Sequence, residues 1–306
     1  MRRWAAWLFV LAAVAGAPAS ANLRAPRRLD GVFSGALGSP RAPSQIRLLA
    51  ERLDLVFPVL DLSRPNPRDT VRVTATYEFE STAGGKVVLP VRFLALDLAE
   101  VSVELNGRPL AAVSVESPED KADCLAALGK HREGFLPAFY GSFLGRLKGA
   151  GPDLGGVSFG SVFERVFEEP LGAGVPASEF ELPLEPGKNA LVVSYRQRLF
   201  IEERDHGYFG AWPGRGFTGF DYLLYPARSW PADPGFRLNV TVEIPDARAK
   251  KLFFRVSKRH FWKSNLAFRE ESGKKGRVLR GEFAGLPADV LTLLLWTDPK
   301  ASRHLR

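Results

Sequence analysis

The sequence predicts a mainly β protein, two β-sandwich-like domains with a short helical insertion in the first. Three observations carry that reading. Several segments alternate apolar and polar residues with the period of a half-buried strand, most plainly "TVRVTATYEFE" and "FRLNVTVEI". Turns rich in Gly and Pro separate these segments at short intervals, as many-stranded antiparallel folds require. From residue 117 to about 170 the apolar spacing changes to three and four, the helical period.

In chain order, "MRRWAAWLFVLAAVAGAPASA" sets Arg2 and Arg3 ahead of an apolar run and ends in small residues, so residues 1–21 are expected to be a secretory signal peptide cleaved after Ala21. The run from Trp4 to Ala17 is shorter than the roughly 20 residues of a spanning helix. No Cys follows the cleavage site to take a lipid, and no later run is long and apolar enough to span a bilayer. The expected product is exported to the periplasm or beyond, with no integral membrane segment after cleavage. Residues 22–44, rich in Pro, Gly, Ser and Arg without periodicity, read as a flexible leader, and order is expected from Gln45.

The first sandwich spans residues 45–203. In "TVRVTATYEFE" Val71, Val73, Ala75, Tyr77 and Phe79 take one face and charged or hydroxylated residues the other. "VSVELNGRPLAAVSV" repeats the alternation around Asn106-Gly107, whose tolerance of positive φ suits a tight hairpin turn. Ser117 as N-cap, Pro118 at the first helical position and two acids in the first turn start a helix, the first of two or three in the insertion. "SEFELPLEPGKNALVVSYRQRLFI" returns to strands, with a turn at Pro186-Gly187. The second sandwich, residues 204–299, holds "FDYLLYPARSW", the long alternating "FRLNVTVEI", strand pairs around "KLFFRVSKRHFW" and "RVLRGEFAGL", and the apolar "DVLTLLLWT", with a tail at 300–306.

"FDYLLYPARSWPADPGFRLNVTVEI", an aromatic strand, a turn carrying Trp230 and a long alternating strand, resembles the second half of exported bacterial β-sandwich proteins of unknown function. In those, segments similar to "DTVRVTATYEFES", "VVLPVRFLALDL" and "PGKNALVVSY" build the first sandwich. The resemblance implies fold and export. It carries over no catalytic residue, because strand patterns recur beneath many functions.

Composition narrows the chemistry. The 306 residues carry 42 basic and 34 acidic side chains, a formal charge of +8, which falls to +6 once Arg2 and Arg3 leave with the signal. The basic residues are scattered, and export argues against nucleic acid as partner. The single Cys, Cys124, excludes an intramolecular disulfide and a Cys-based zinc site; in "KADCLAAL" it reads as a buried structural thiol.

The stretch "GYFGAWPGRGFTGFDYLLYPARSW" spaces Gly214, Gly216 and Gly219 like a dinucleotide-binding fingerprint. That fingerprint lies between a strand and a helix, whose N-terminal amides bind the pyrophosphate, and here a strand is expected next. No cofactor is expected. If the loop is a recognition surface, Tyr208, Phe209, Trp212, Phe217 and Tyr222 are the rings that would stack on a glycan or anchor an envelope protein. The competing reading packs them as a plug between the sandwiches, favoured because a loop so apolar is costly to expose.

"GVSFG" places Ser158 as in a nucleophile elbow, but "KGAGPDLGG" before it cannot form the buried strand an elbow needs, although Asp205 and His206 follow in the right order. "EERDHG" offers Glu202, Glu203, Asp205 and His206, and reads as solvated charge, with His131, His260 and His304 isolated; no metal site is expected. Paired carboxylates for glycoside chemistry are set by the fold, and the sequence indicates no pair. The reading that follows is an exported, non-catalytic protein acting by binding or in the cell envelope, the alternative being a secreted serine hydrolase or glycan-acting enzyme.

Overall fold

The computed structural model describes residues 23–24, 44–60, 68–131, 171–201, 217–245, 261–273 and 276–296. In chain order the strands among them are β1 (Leu23–Arg24), β2 (Ile46–Val56), β3 (Thr70–Ser81), β4 (Val87–Leu94), β5 (Ala99–Leu105), β6 (Arg108–Pro109), β7 (Ala112–Ser117), β8 (Val175–Leu184), β9 (Gly187–Arg198), β10 (Phe200–Ile201), β11 (Phe217–Leu223), β12 (Ala232–Pro245), β13 (Phe261–Ser264), β14 (Arg269–Gly273), β15 (Gly276–Ala284) and β16 (Val290–Trp296). A helix, α1, covers 118–131. The protein is mainly β, as the alternation predicts.

Three sheets form: an eight-stranded sheet in the order β14-β15-β12-β2-β3-β9-β5-β6, and four-stranded sheets β1-β4-β8-β7 and β10-β11-β16-β13. In β3 all five residues expected to point inward, Val71, Val73, Ala75, Tyr77 and Phe79, are buried. β12 does the same with Phe236, Leu238, Val240, Val242 and Ile244. Burying each such side chain contributes roughly 1.5–3 kcal/mol, which pins both the faces and the register. One core cluster gathers this inner face with Phe93 and Leu182 from one small sheet and Phe220 and Leu293 from the other, so both small sheets stack on the large one.

The boundary expected at 203/204 does not separate two hydrogen-bonded systems. β12, from the second half, pairs in parallel with β2 from the first, Val240 opposite Leu53. β10 and β11, on either side of the boundary, pair with each other. Leu23 and Arg24, placed by composition in a flexible leader, pair antiparallel with Phe93 and Arg92 on β4.

Asn106 and Gly107 turn β5 into β6 with φ of 52° and 76°, as expected of a two-residue hairpin turn. The second arm ends at Pro109, however, and the chain crosses to the other sheet as β7, paired with β8. Pro186-Gly187 likewise joins strands of different sheets, β8 and β9. Asn189 holds that corner: its Oδ1 accepts from the Glu185 amide at 3.0 Å, and its Nδ2 donates to the Glu185 carbonyl at 2.7 Å.

α1 starts where the sequence places it. The Ser117 hydroxyl donates to Asp120 Oδ2 at 2.6 Å, and Arg92 on β4 donates to Ser117 Oγ at 2.8 Å while pairing with Glu119, Asp120 and Glu179. The backbone at Gly174 abuts Ser117 so closely that a Cβ would lie 2.6 Å from its carbonyl carbon, which restricts position 174 to glycine. α1 buries Cys124, Ala127 and Leu128 against Leu94, Ala177, Leu223 and Val290. Leu94, Leu223 and Val290 neighbour in sequence the core residues Phe93, Tyr222 and Leu291, so the helix covers the far side of the small sheets. The rest of the expected insertion lies outside the described residues.

Candidate functional site

Consecutive residues of β11 point to opposite faces, and both faces are covered, so Asp221 and Tyr222 are each fully buried in different surroundings. On the inner face the Tyr222 hydroxyl donates to Glu51 Oε1 at 3.0 Å and lies 3.2 Å from the Tyr77 hydroxyl. Glu51 is fully buried, and its Oε2 has no hydrogen-bond partner. Burial pushes the Glu51 carboxyl up to about 8, against the hydrogen bonds from Tyr222 and Tyr77 that pull it down. Burial, and then the Glu51 charge, raise both phenols well above their usual range. At neutral pH the cluster is therefore a protonated acid among neutral phenols.

On the outer face, beneath the end of α1, Thr292 on β16 donates its hydroxyl hydrogen to Asp221 Oδ1. His131 Nε2 lies 2.8 Å from the same hydroxyl oxygen, which can only accept from it. That fixes the hydrogen on Nε2 and leaves Nδ1 to accept from Asn265 Nδ2 at 3.5 Å. Asn265 is oriented in turn by donating to the Val290 carbonyl at 2.7 Å and accepting from the Thr292 amide at 2.8 Å. Carboxylate, hydroxyl and imidazole thus meet as in a nucleophilic triad, but with the direction reversed: the histidine donates to the hydroxyl instead of taking its proton. Thr292 is also only 1% exposed. The network ties α1 to two strands.

Accessible polar chemistry lies beside this network, in an open cleft of about 420 Å³ between α1 and the 3-10 turn Tyr225–Ser229. Asp123 and Lys130 line it from the helix, Arg228 and Ser229 from the turn, and Asp289 from the residue ahead of β16. The Asp289 carbonyl accepts from the Leu224 and Tyr225 amides at 2.8 and 2.9 Å, which fixes its position. Its carboxylate, 14% exposed, pairs with Lys130 at 3.7 Å and with Arg228.

Of the rings expected on a recognition loop, Tyr208, Phe209 and Trp212 lie outside the described residues. Phe217 begins β11 opposite Trp296. Tyr222 is buried in the core, so the expectation that it faces a ligand is corrected: its hydroxyl needs a buried acceptor, and Glu51 supplies one. Gly219 stands within β11, opposite Leu294, while Gly214 and Gly216 lie outside the described residues. So do Ser158, Glu202, Glu203, Asp205 and His206. Cys124 is buried as expected, and burial pushes its thiol up to about 12. His131, read as isolated, is a member of the polar network; its partner Thr292 is 161 positions away and left no local trace. Glu51 left one, a break in the alternation of "IRLLAERLDLV". Among the described residues no group of three or more His, Cys, Asp or Glu could hold a metal ion, and no helix is long and apolar enough to cross a membrane.

No protein-family model and no curated protein matches this chain. Among solved structures, a candidate nutrient binding protein from Legionella pneumophila is similar at 12% identity and a TM-score of 0.48, over 85% of this chain and 70% of that one. An M1 zinc metallopeptidase mutant from Deinococcus radiodurans is similar at 11% identity and a TM-score of 0.36, over 84% of this chain. The chain spans 44% of the metallopeptidase's length. At such identities neither similarity bears on activity.

Proposed function

We propose that the protein is a non-catalytic binding protein acting outside the cytoplasm, with its ligand seat in the cleft between α1 and the 3-10 turn. One observation carries the reading. Among the described residues the carboxyl and hydroxyl groups of Glu51, Asp221 and Thr292 are sealed in the core, whereas the cleft presents charges of both signs to solvent. Fixed charges around an accessible hollow suit recognition, where a few placed polar groups orient a ligand. The seat is thereby moved from the aromatic loop, one of whose rings is committed to the core, to the helix.

Thermal unfolding in the presence of a panel of small polar compounds tests this. A ligand at 100 times its Kd adds about 2.7 kcal/mol, a rise of several degrees. The expected result is a stabilising compound whose effect disappears in the Lys130→Ala, Arg228→Ala double variant. No stabilising compound, or a shift that survives the double variant, would refute the seat. The export part of the proposal rests on the residue 1–21 pattern and is tested separately by intact mass, which should begin at Asn22.

A further inference from the structure

We infer that the bulge in β2 is a proton-controlled switch: it sits at Leu49 while Glu51 is protonated and moves to Glu51 when that residue ionises, carrying the carboxylate to the solvent face and Ala50 into the core. The pairing of β2 with β3 allows two arrangements. Leu48 lies opposite Phe79 and Leu53 opposite Ala75, and all four are buried. Between these anchors β2 has Leu49, Ala50, Glu51 and Arg52, whereas β3 has only Thr76, Tyr77 and Glu78. One residue of β2 is therefore extra, and the single inward place, opposite Tyr77, falls to Glu51 or to Ala50. Glu51 holds it in the structure, with Leu49 as the extra residue and both Leu49 and Ala50 half-buried. With Glu51 as the extra residue, Ala50 takes the inward place and neither anchor moves. β12 is irregular at the same point, between Ala232 opposite Leu48 and Arg237 opposite Ala50, so the ladder is interrupted there on both sides of β2.

The proton decides between the two arrangements. A neutral Glu51 fits the inward place, where its Oε1 accepts from Tyr222. An ionised Glu51 leaves a charge in the core with no hydrogen-bond partner at Oε2, which is costly, whereas Ala50 carries no charge. When Glu51 leaves, the Tyr77 and Tyr222 hydroxyls, 3.2 Å apart, still bond to each other, and the hollow they line is polar enough to hold a water. The titratable groups hydrogen-bonded to Glu51 are these two phenols, from β3 and β11, and β12 presents the apolar Leu238 opposite it. Both phenols are raised well above their usual range, and Tyr195 on β9 adds to that rise, so Glu51 is the group of the cluster that changes charge first. On the solvent face the carboxylate joins Glu78 and the Arg52–Asp54 ion pair. A proton bound more tightly by one arrangement than by the other shifts the population between them.

Cross-strand nuclear Overhauser contacts of the full chain at pH 6 and pH 9.5, with the Glu51 carboxyl followed by carbon-13 NMR, test the switch. At pH 6 Glu51 should lie opposite Tyr77, and Ala50 opposite Glu78. At pH 9.5, above the value of about 8 to which burial pushes the carboxyl, Ala50 should lie opposite Tyr77 and Leu49 opposite Glu78 in most molecules. The Leu48–Phe79 and Leu53–Ala75 contacts should persist throughout. Glu51→Gln, which cannot ionise, should keep the pH 6 pattern at both values. If the carboxyl ionises while Glu51 stays opposite Tyr77, or has not ionised by pH 9.5, the inference falls. It falls equally if the two anchor contacts vanish with the rest, which would be unfolding and not a change of register, or if the Glu51→Gln variant changes register with pH.

Discussion

Replacing Glu51 by Gln removes a proton-binding group from the centre of the core while keeping the oxygen that accepts from Tyr222. The carboxyl ordinarily titrates at 4.5 and is raised to about 8 in the folded protein. Below 4.5 both folded and unfolded chains hold the proton. Between 4.5 and about 8 only the folded chain holds it, so stability falls as pH rises; above about 8 both forms have lost it and the loss is complete. At about 1.36 kcal/mol for each pH unit, the interval amounts to about 5 kcal/mol. The titratable groups hydrogen-bonded to Glu51 are the phenols of Tyr77 and Tyr222, which are raised well above their usual range and stay neutral over this interval. Glu51→Gln should therefore match the wild type within about 1 kcal/mol at pH 4.5 and exceed it by several kcal/mol at pH 8.5, the amide being a neutral group of the same shape. Guanidinium unfolding followed by tryptophan fluorescence from pH 4.5 to 9, wild type and variant side by side, measures the difference. Parallel profiles would mean that Glu51 is not buried in its protonated form, and the account of the inner cluster would be wrong.

Thr292→Val keeps the shape of the side chain but leaves Asp221 Oδ1 and His131 Nε2 without the hydroxyl between them, and should cost about 3 kcal/mol in denaturant unfolding. Thr292→Ser should cost about 1 kcal/mol, and a Val variant as stable as the wild type would show that the network contributes nothing. Cys124, with its thiol pushed up to about 12 and no exposed surface, should resist iodoacetamide at pH 8 in the native protein and react with one equivalent after unfolding. Rapid native labelling, measured by mass, would contradict the packing of α1 against the sheets.

The sequence by itself determined the elements whose causes are local. Period-two alternation marks β3 and β12 because a half-buried strand exposes every second residue, and Asn106-Gly107 and Ser117-Pro118 mark a turn and a helix start because backbone angles and caps are properties of neighbouring residues. The tertiary structure alone decided where these elements go. Nothing local tells whether the strand after a turn stays in its sheet, and β6 to β7 and β8 to β9 both cross to another. The parallel pairing of β12 with β2, which joins the two expected sandwiches into one sheet, is likewise a long-range choice. Glu51 shows the mechanism most directly. Counted from Ile46 and Leu48 it belongs on the solvent face, but an irregularity between Leu48 and Ala50 shifts the strand by one residue and turns it inward. There it is tolerated because Tyr222, 171 positions away, brings a hydroxyl to it. The burial of a charged group is decided by the partner that the folded chain delivers, and that delivery belongs to the tertiary structure.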